Sequence, residues 1–333
     1  MALITDISGI SIGHAQDVAA LTGCTVVLCE GGATGGVDQR GGAPGTRETD
    51  AIRPMHLVNR IHAVILSGGS AFGLDAASGV MKYLEEKDIG YNAGDVKVPI
   101  VASAILFDLG IGDKHVRPDS QMGYDACKNA SKQPPAQGNI GAGTGATIGK
   151  IFGMQHAMKA GIGHACIDAG NGVLVGAVVA VNAFGDVINP SNGNIIAGAR
   201  CFQAGPAKMG CGPVFADTLK TMNSRIGRVI LKMASIQNTV IGVVITNAKL
   251  DNVSCNKVAQ MAHNGIAKTI QPAHTMFDGD TMFCMATHKK KEDINIIGAL
   301  SVEAVTQAIL NATKSAEKIG DLESYSSLMN INH

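Results

Sequence analysis

Asn238-Thr239-Val240-Ile241-Gly242-Val243-Val244-Ile245-Thr246-Asn247 is the stretch whose reading decides the fold. Thr, Val and Ile are stiff at χ1 and suit a pleated surface, so the run predicts a buried strand with Thr239 at its head. Asn238 belongs to the residue types that tolerate unusual backbone angles. If the bond between them breaks, Thr239 becomes an amino terminus that carries both a hydroxyl nucleophile and its own base, an amine. The ordinary alternative is a β-branched residue that merely starts a strand; the neighbouring features favour a self-processing hydrolase precursor.

Working outward, 333 residues can form one large domain or two ordinary ones, with ample length to bury a core. Lys plus Arg and Asp plus Glu both number 27, a balance that leaves no electrostatic footprint for nucleic acid or an acidic membrane surface. Apolar residues make up 46% of the chain and charged ones 16%, which argues for a large interior or for subunit interfaces. The eight cysteines include no Cys-x-x-Cys pair, and several lie in apolar strand patterns, as reduced thiols of a cytoplasmic protein would. Met1 to Asp6 does not read as a signal peptide, and the apolar tract from Gly172 to Ala183 is too short and glycine-rich to span a bilayer.

Gly23–Cys29 and His62–Leu66 read as buried strands, the second leading through Ser67-Gly68-Gly69-Ser70 into a helix with Ala77, Val80, Met81 and Leu84 on one face. Those Ser and Gly residues suit either an anion site or a helix cap. Val96–Leu109 is a strand or buried turn, and Lys132-Gln133-Pro134-Pro135 ends any helix before it. Ala165–Asp168 and Val173–Asn182 predict a hairpin about Ala169-Gly170-Asn171-Gly172, followed by a short strand after Gly185-Asp186. Gly198–Gln237, mixing Gly, Pro, Met and basic residues, reads as a partly mobile connector. Beyond Thr239, a helix carries Val258, Met261, Ala262 and Ile266, a strand runs from Thr281 to Thr287, and a long helix carries Val302, Val305, Ile309 and Ala312. Hairpins and helices in this order suggest sheets covered by helices, without the alternation of a doubly wound parallel fold.

Phe277-Asp278-Gly279-Asp280-Thr281 sets two carboxylates on a tight turn; turn chemistry is the plain explanation, orientation of a nearby amine the functional one. Gly141-Ala142-Gly143-Thr144-Gly145-Ala146-Thr147-Ile148-Gly149-Lys150 invites a nucleotide-binding reading but fails the P-loop spacing, and its Gly-x-Gly-x-x-Ala match follows no convincing strand. A glycine-rich wall with Lys150 facing a site fits better. Asn182, ending an apolar strand, suits an Asx turn or an amide donor to an oxyanion. The histidines show no ligand spacing, so neither a metal nor another cofactor is expected.

Together these segments resemble the family of the L-aminopeptidase/D-amidase–D-esterase, the β-peptidyl aminopeptidases and the nylon-oligomer hydrolase. The likeness also takes in Gly41-Gly42-Ala43-Pro44-Gly45-Thr46-Arg47-Glu48-Thr49-Asp50, Leu66 to Asp75, Val98-Pro99-Ile100 and Val181 to Asp186. It implies a four-layer α-β-β-α sandwich of the N-terminal-nucleophile type, an α/β (α+β) fold in which 1–333 form one hydrolase domain. It implies self-cleavage into an α chain, 1–238, and a β chain, 239–333, and a homo-oligomer, a tetramer of such heterodimers. Thr239 is then the nucleophile, Asn182 the oxyanion or positioning residue, and Lys150, Asp278 and Asp280 the polar cluster beside it. The aminopeptidase branches more often carry Ser at the nucleophile and Ser and Glu for the two aspartates, and some members carry Tyr where Phe107 stands. The expected partner is a small peptide or amide; a nucleotide-dependent enzyme and a non-catalytic binding scaffold are the competing classes.

Overall fold

The computed structural model describes residues 2–204, 207–210, 212–233 and 238–331. Eight principal strands are β1 (Ser11–Asp17), β2 (Thr22–Gln39), β3 (Ile61–Ser67), β4 (Val101–Ile105), β5 (Ile162–Gly170), β6 (Val173–Asn182), β7 (Thr239–Ala248) and β8 (Thr281–Lys290). They hydrogen-bond in the order β5-β6-β7-β8-β2-β3-β4, with β1 on the flank of β2 and the two-residue Thr46–Arg47 beyond β4. The pairs β7–β8 and β3–β4 are parallel and the rest antiparallel.

The expected strand at Gly23–Cys29 is only the first half of β2. Residues 22–28 pair with β1 and β3, then the register shifts through exposed Glu30 and Gly31, and residues 34–39 pair with β8. Gly32 has a φ of 74°, a left-handed angle that a side chain disfavours, so glycine lets one strand turn the corner between two sheets. The β5–β6 hairpin closes as expected, with Asn171 (φ 55°) and Gly172 (φ 74°) in the region that such tight turns require.

Side-chain alternation then builds the layers. On β7, Val240 and Val244 face α5 (Asn252–Thr269) and α6 (Ile294–Lys314), while Ile241, Val243 and Ile245 face the opposite sheet. On β3, Val64 and Leu66 meet that inner layer, while Ala63 and Ile65 pack with Ala77, Val80 and Leu84 of α1 (Ala76–Glu85) and with Ala126 of α2 (Ser120–Lys128). Three apolar interfaces between four layers give the expected α-β-β-α sandwich. The helix α6 is long and apolar enough to cross a bilayer, but here Ala304, Val305, Ala308 and Ile309 are fully buried against α5 and the sheet.

The connector expected at 198–237 is more ordered than the sequence suggested. Its described part contains a small hairpin, Phe202–Ala204 with Ala207–Met209, and two helices, α3 (Thr218–Asn223) and α4 (Arg225–Met233). Asp217 caps α3 by accepting from the Lys220 N–H at 3.0 Å, and Asp186 takes the Thr218 N–H and hydroxyl at 2.6 and 2.8 Å. The residues immediately before Asn238 lie outside the described part.

Candidate active site

Thr239 and Asn182 are directly opposite each other in the β6–β7 register, at the end of one strand and the start of the next. On the other side of β7, the turn Phe277–Asp280 leads into β8, so three strand ends converge. Asn238 is buried and held on this turn at both polar backbone atoms: its N–H donates to Phe277 O at 2.9 Å, and its carbonyl accepts from Gly279 N–H at 2.8 Å. The Thr239 hydroxyl lies against that same carbonyl, donating to Asn238 O at 2.5 Å. A hydroxyl and a backbone donor therefore flank one peptide carbonyl, the arrangement needed when an oxygen attacks the carbon and negative charge grows on its oxygen.

The turn has almost no spare room. A Cβ on Gly279 would lie 2.8 Å from Thr239 Oγ1 and 2.7 Å from Ala43 O, and one on Gly41 would lie 2.0 Å from Asp278 O. The Gly41–Gly45 segment thus packs backbone to backbone on the turn, with Ala43 N–H on Asp278 O at 2.9 Å.

Asn182, fully buried, is the hub on the other side. Its Oδ1 accepts from Lys150 Nζ at 2.7 Å and from Thr147 N–H at 3.1 Å, and its Nδ2 donates to Phe107 O at 2.8 Å. The amide therefore keeps one N–H for another acceptor. Phe107 enters the site through its carbonyl. The glycine-rich segment is the wall that the sequence suggested, and Lys150 reaches from it to Asn182. Gly69 N–H donates to Asp108 Oδ1 at 2.7 Å, so the helix start after β3 serves a carboxylate of the chain itself. Ser67 Oγ has no partner among the described residues, and the segment caps its helix with neither serine.

The two aspartates of the turn do different things. Asp280 Oδ1 accepts from Val240 N–H at 2.8 Å and so grips the residue after Thr239. Asp278 Oδ2 is taken by Thr275, through its N–H at 2.8 Å and its hydroxyl at 2.6 Å. Burial, with the charge of Asp280, pushes the Asp278 carboxyl up to about 6 against the pull of Thr275 and Lys150. Burial likewise lowers Lys150 to about 7, although the charges of Asp278 and Asp108 oppose it. Groups that change charge near neutrality are suited to proton transfer.

Sequence reasoning overlooked Gly279, Asp108, Lys159 and His274. Asp108, raised by burial against the Gly69 and Thr22 donors and Lys150, is a third carboxylate, one whose charge reaches Lys150. Lys159 is fully buried and donates to the carbonyls of Gly143 and Ala146, each at 2.9 Å, and to that of Ala160. Burial lowers it to about 7, with Asp108 opposing and Lys150 assisting. Lys159→Met orphans those carbonyls and is expected to cost roughly 3 kcal/mol. Its folded pKa lies below the lysine value of the unfolded chain, so between about pH 7 and 10 the unfolded wild type binds the extra proton. Wild-type stability therefore rises with pH across that window, and the gap to the variant should widen. Urea midpoints at pH 7 and 9.5 check this; a gap independent of pH would refute it.

The model of peptidase family S58 matches residues 2–325. A Mycobacterium leprae protein described as an uncharacterized aminopeptidase is 39% identical over 97% of this chain and 92% of its own length. A 6-aminohexanoate-oligomer endohydrolase from a Kocuria species is 31% identical over 93% of this chain and 85% of its own. Among solved structures, the L-aminopeptidase D-Ala-esterase/amidase of Ochrobactrum anthropi superposes with a TM-score of 0.70 at 17% identity. That match covers 99% of this chain and 93% of that one, and its fold is described as a variant among the Ntn hydrolases. A Burkholderia β-aminopeptidase gives 0.68 at 20% identity, covering 98% and 92%.

Proposed function

The chain belongs to peptidase family S58 and is a hydrolase of peptide or related amide bonds; from that premise we propose that it cuts itself between Asn238 and Thr239 and then works through the Thr239 amine and hydroxyl. The contact of Thr239 Oγ1 with Asn238 O, on a carbonyl already held by Gly279 N–H, carries this reading. In processing, the hydroxyl adds to the Asn238 carbon, the carbon–nitrogen bond breaks, and the departing nitrogen takes up a proton. An ester remains, which water opens to the Asn238 carboxylate and a free Thr239.

In turnover, the amine takes the proton of its own hydroxyl as Oγ attacks the substrate carbonyl, and the proton passes to the leaving amine. The free amine has a reference pKa of roughly 7.7–8.0, close to the working range of a base at neutral pH. Asn182 supplies its remaining N–H to the developing oxyanion, and Asp280 fixes the strand's first peptide. Lys150 holds Asn182 and faces the Asp278 charge. Water then releases the acyl group from Thr239.

A short aminoacyl amide or peptide is the first substrate class. Attack within an ω-amino-acid oligomer is the second, supported by the 31% identity to the endohydrolase and by Thr239 with Asp278 and Asp280 in place of Ser and Glu. Cys24, Cys29, Cys127, Cys166, Cys255 and Cys284 are free thiols, as a cytoplasmic setting would have them. Exposed Met55, Leu57 and Met276 suit a surface that another subunit covers, in keeping with a tetramer of heterodimers. Denaturing mass spectrometry of purified protein should find fragments 1–238 and 239–333, and the product pattern from oligomers should separate end-on from internal cleavage. A single intact chain in fully active material would refute the processing step.

A further inference from the structure

His274 and Thr275 are consecutive, and each grips one of the two turn carboxylates with its backbone N–H and its side chain together. Thr275 does so for Asp278. For Asp280, His274 N–H donates to Oδ2 at 3.1 Å and the ring Nδ1 meets the same oxygen at 2.7 Å. The opposite oxygen, Oδ1, is the one on Val240 N–H. Asp280 is 1% exposed, and among the described residues its two side-chain oxygens are held by this clamp and by Val240 N–H. His274 adopts a φ of 58°, a left-handed angle that a non-glycine residue meets at a cost, and that angle aims both donors at one oxygen.

We propose that His274 is a positioning residue for the nucleophile, acting through Asp280 to fix the first peptide of β7 and with it the Thr239 amine. The inference rests on the reading of Thr239 given above. The groups around the clamp are Asp280 and Asp278 on the turn, His263 from α5 with its ring centroid 4.9 Å away, and Asp38 and Arg40 at the end of β2. His263 donates through Nε2 to Asp38 O at 3.0 Å, and burial lowers it to about 4, so it stays neutral. Burial opposes a charge on His274, but the Asp280 carboxylate outweighs it and raises its pKa. Below that pKa, the imidazolium offsets part of the negative charge that Asp280 presents to the amine.

Asn and Gly both tolerate the left-handed angle, and only Asn offers a donor near the place of Nδ1. His274→Gly is therefore expected to lower kcat by about 10²-fold, as a misplacement near 1 Å does, with KM little changed. His274→Asn should restore most of kcat. Being unable to carry charge, it should also move the acid limb of the rate profile up by about half a unit, because the amine then holds its proton to higher pH. A glycine variant with wild-type kcat overturns the proposal, and so does an asparagine variant as impaired as glycine with an unmoved acid limb. If the glycine variant folds but stays uncut, the asparagine variant decides alone. The mass of the wild-type chains and the activity of Thr239→Ala report separately on the underlying reading. An uncut wild type or an active Thr239→Ala removes that reading, whereas a cut, normal glycine variant removes only the clamp.

Discussion

Thr239→Ala should stay a single 333-residue chain and lose amidase activity by at least about 10⁴-fold. The change removes the hydroxyl oxygen that lies against the Asn238 carbonyl, and with it, on the proposed mechanism, both the attack that opens the peptide and the nucleophile of turnover. The fold should tolerate it, because the flanking β7 residues keep their pairing with β6 and β8 and the lost methyl and hydroxyl are small. Thr239→Ser keeps the hydroxyl and should still mature. Gel mobility, intact mass and turnover of an aminoacyl amide read all three effects together. An alanine variant that matures assigns the cut to another group; one that retains turnover removes Thr239 from the chemistry.

Gly279→Ala should slow maturation by about 10²-fold or more while leaving the helical and sheet content in place. The added methyl would come within 2.8 Å of Thr239 Oγ1 and 2.7 Å of Ala43 O, closer than real carbon contacts permit. Either the hydroxyl moves off the carbonyl or the turn retreats and withdraws its N–H from Asn238 O. Each response displaces one of the two groups that must meet at the same carbonyl, and displacements near 1 Å at a reacting centre have effects of that size. A time course of fragment appearance after synthesis, with a urea melt as control, separates this from misfolding. Normal maturation kinetics would show that Gly279 does not hold the oxyanion.

How far the sequence disclosed this site depends on the kind of signal. The head of β7 and the full extent of β6 followed from β-branched runs, and the four layers from the helix and hairpin order together with the family likeness. The two aspartates were visible as a pair, but not their division of labour, because which carboxylate meets Val240 and which meets Thr275 depends on the turn's path. That path is set by the glycine contacts of Gly41 and Gly279, and these read in a sequence only as flexible residues. Lys159 and Asp108 were invisible for another reason: each is a polar residue in an apolar run, with its partners far along the chain or on backbone atoms, while His274 lies only six residues before Asp280 and its left-handed angle leaves no mark in the sequence. In the connector, Ile226, Val229, Ile230 and Met233 did carry helical spacing, and the surrounding Gly, Pro and Met content obscured it.

The position of Thr239 between β6 and β8 has one further consequence. A break just before it leaves every rung of β7 intact, so the carboxyl-terminal piece stays sewn between neighbours that belong partly to the other piece. The mature molecule would hold together as firmly as its precursor, yet could not be rebuilt from melted fragments with equal ease, since two chains must find each other where one chain once folded. Its durability after maturation would then be governed by how slowly it opens, and heat damage that the uncut form survives would be permanent.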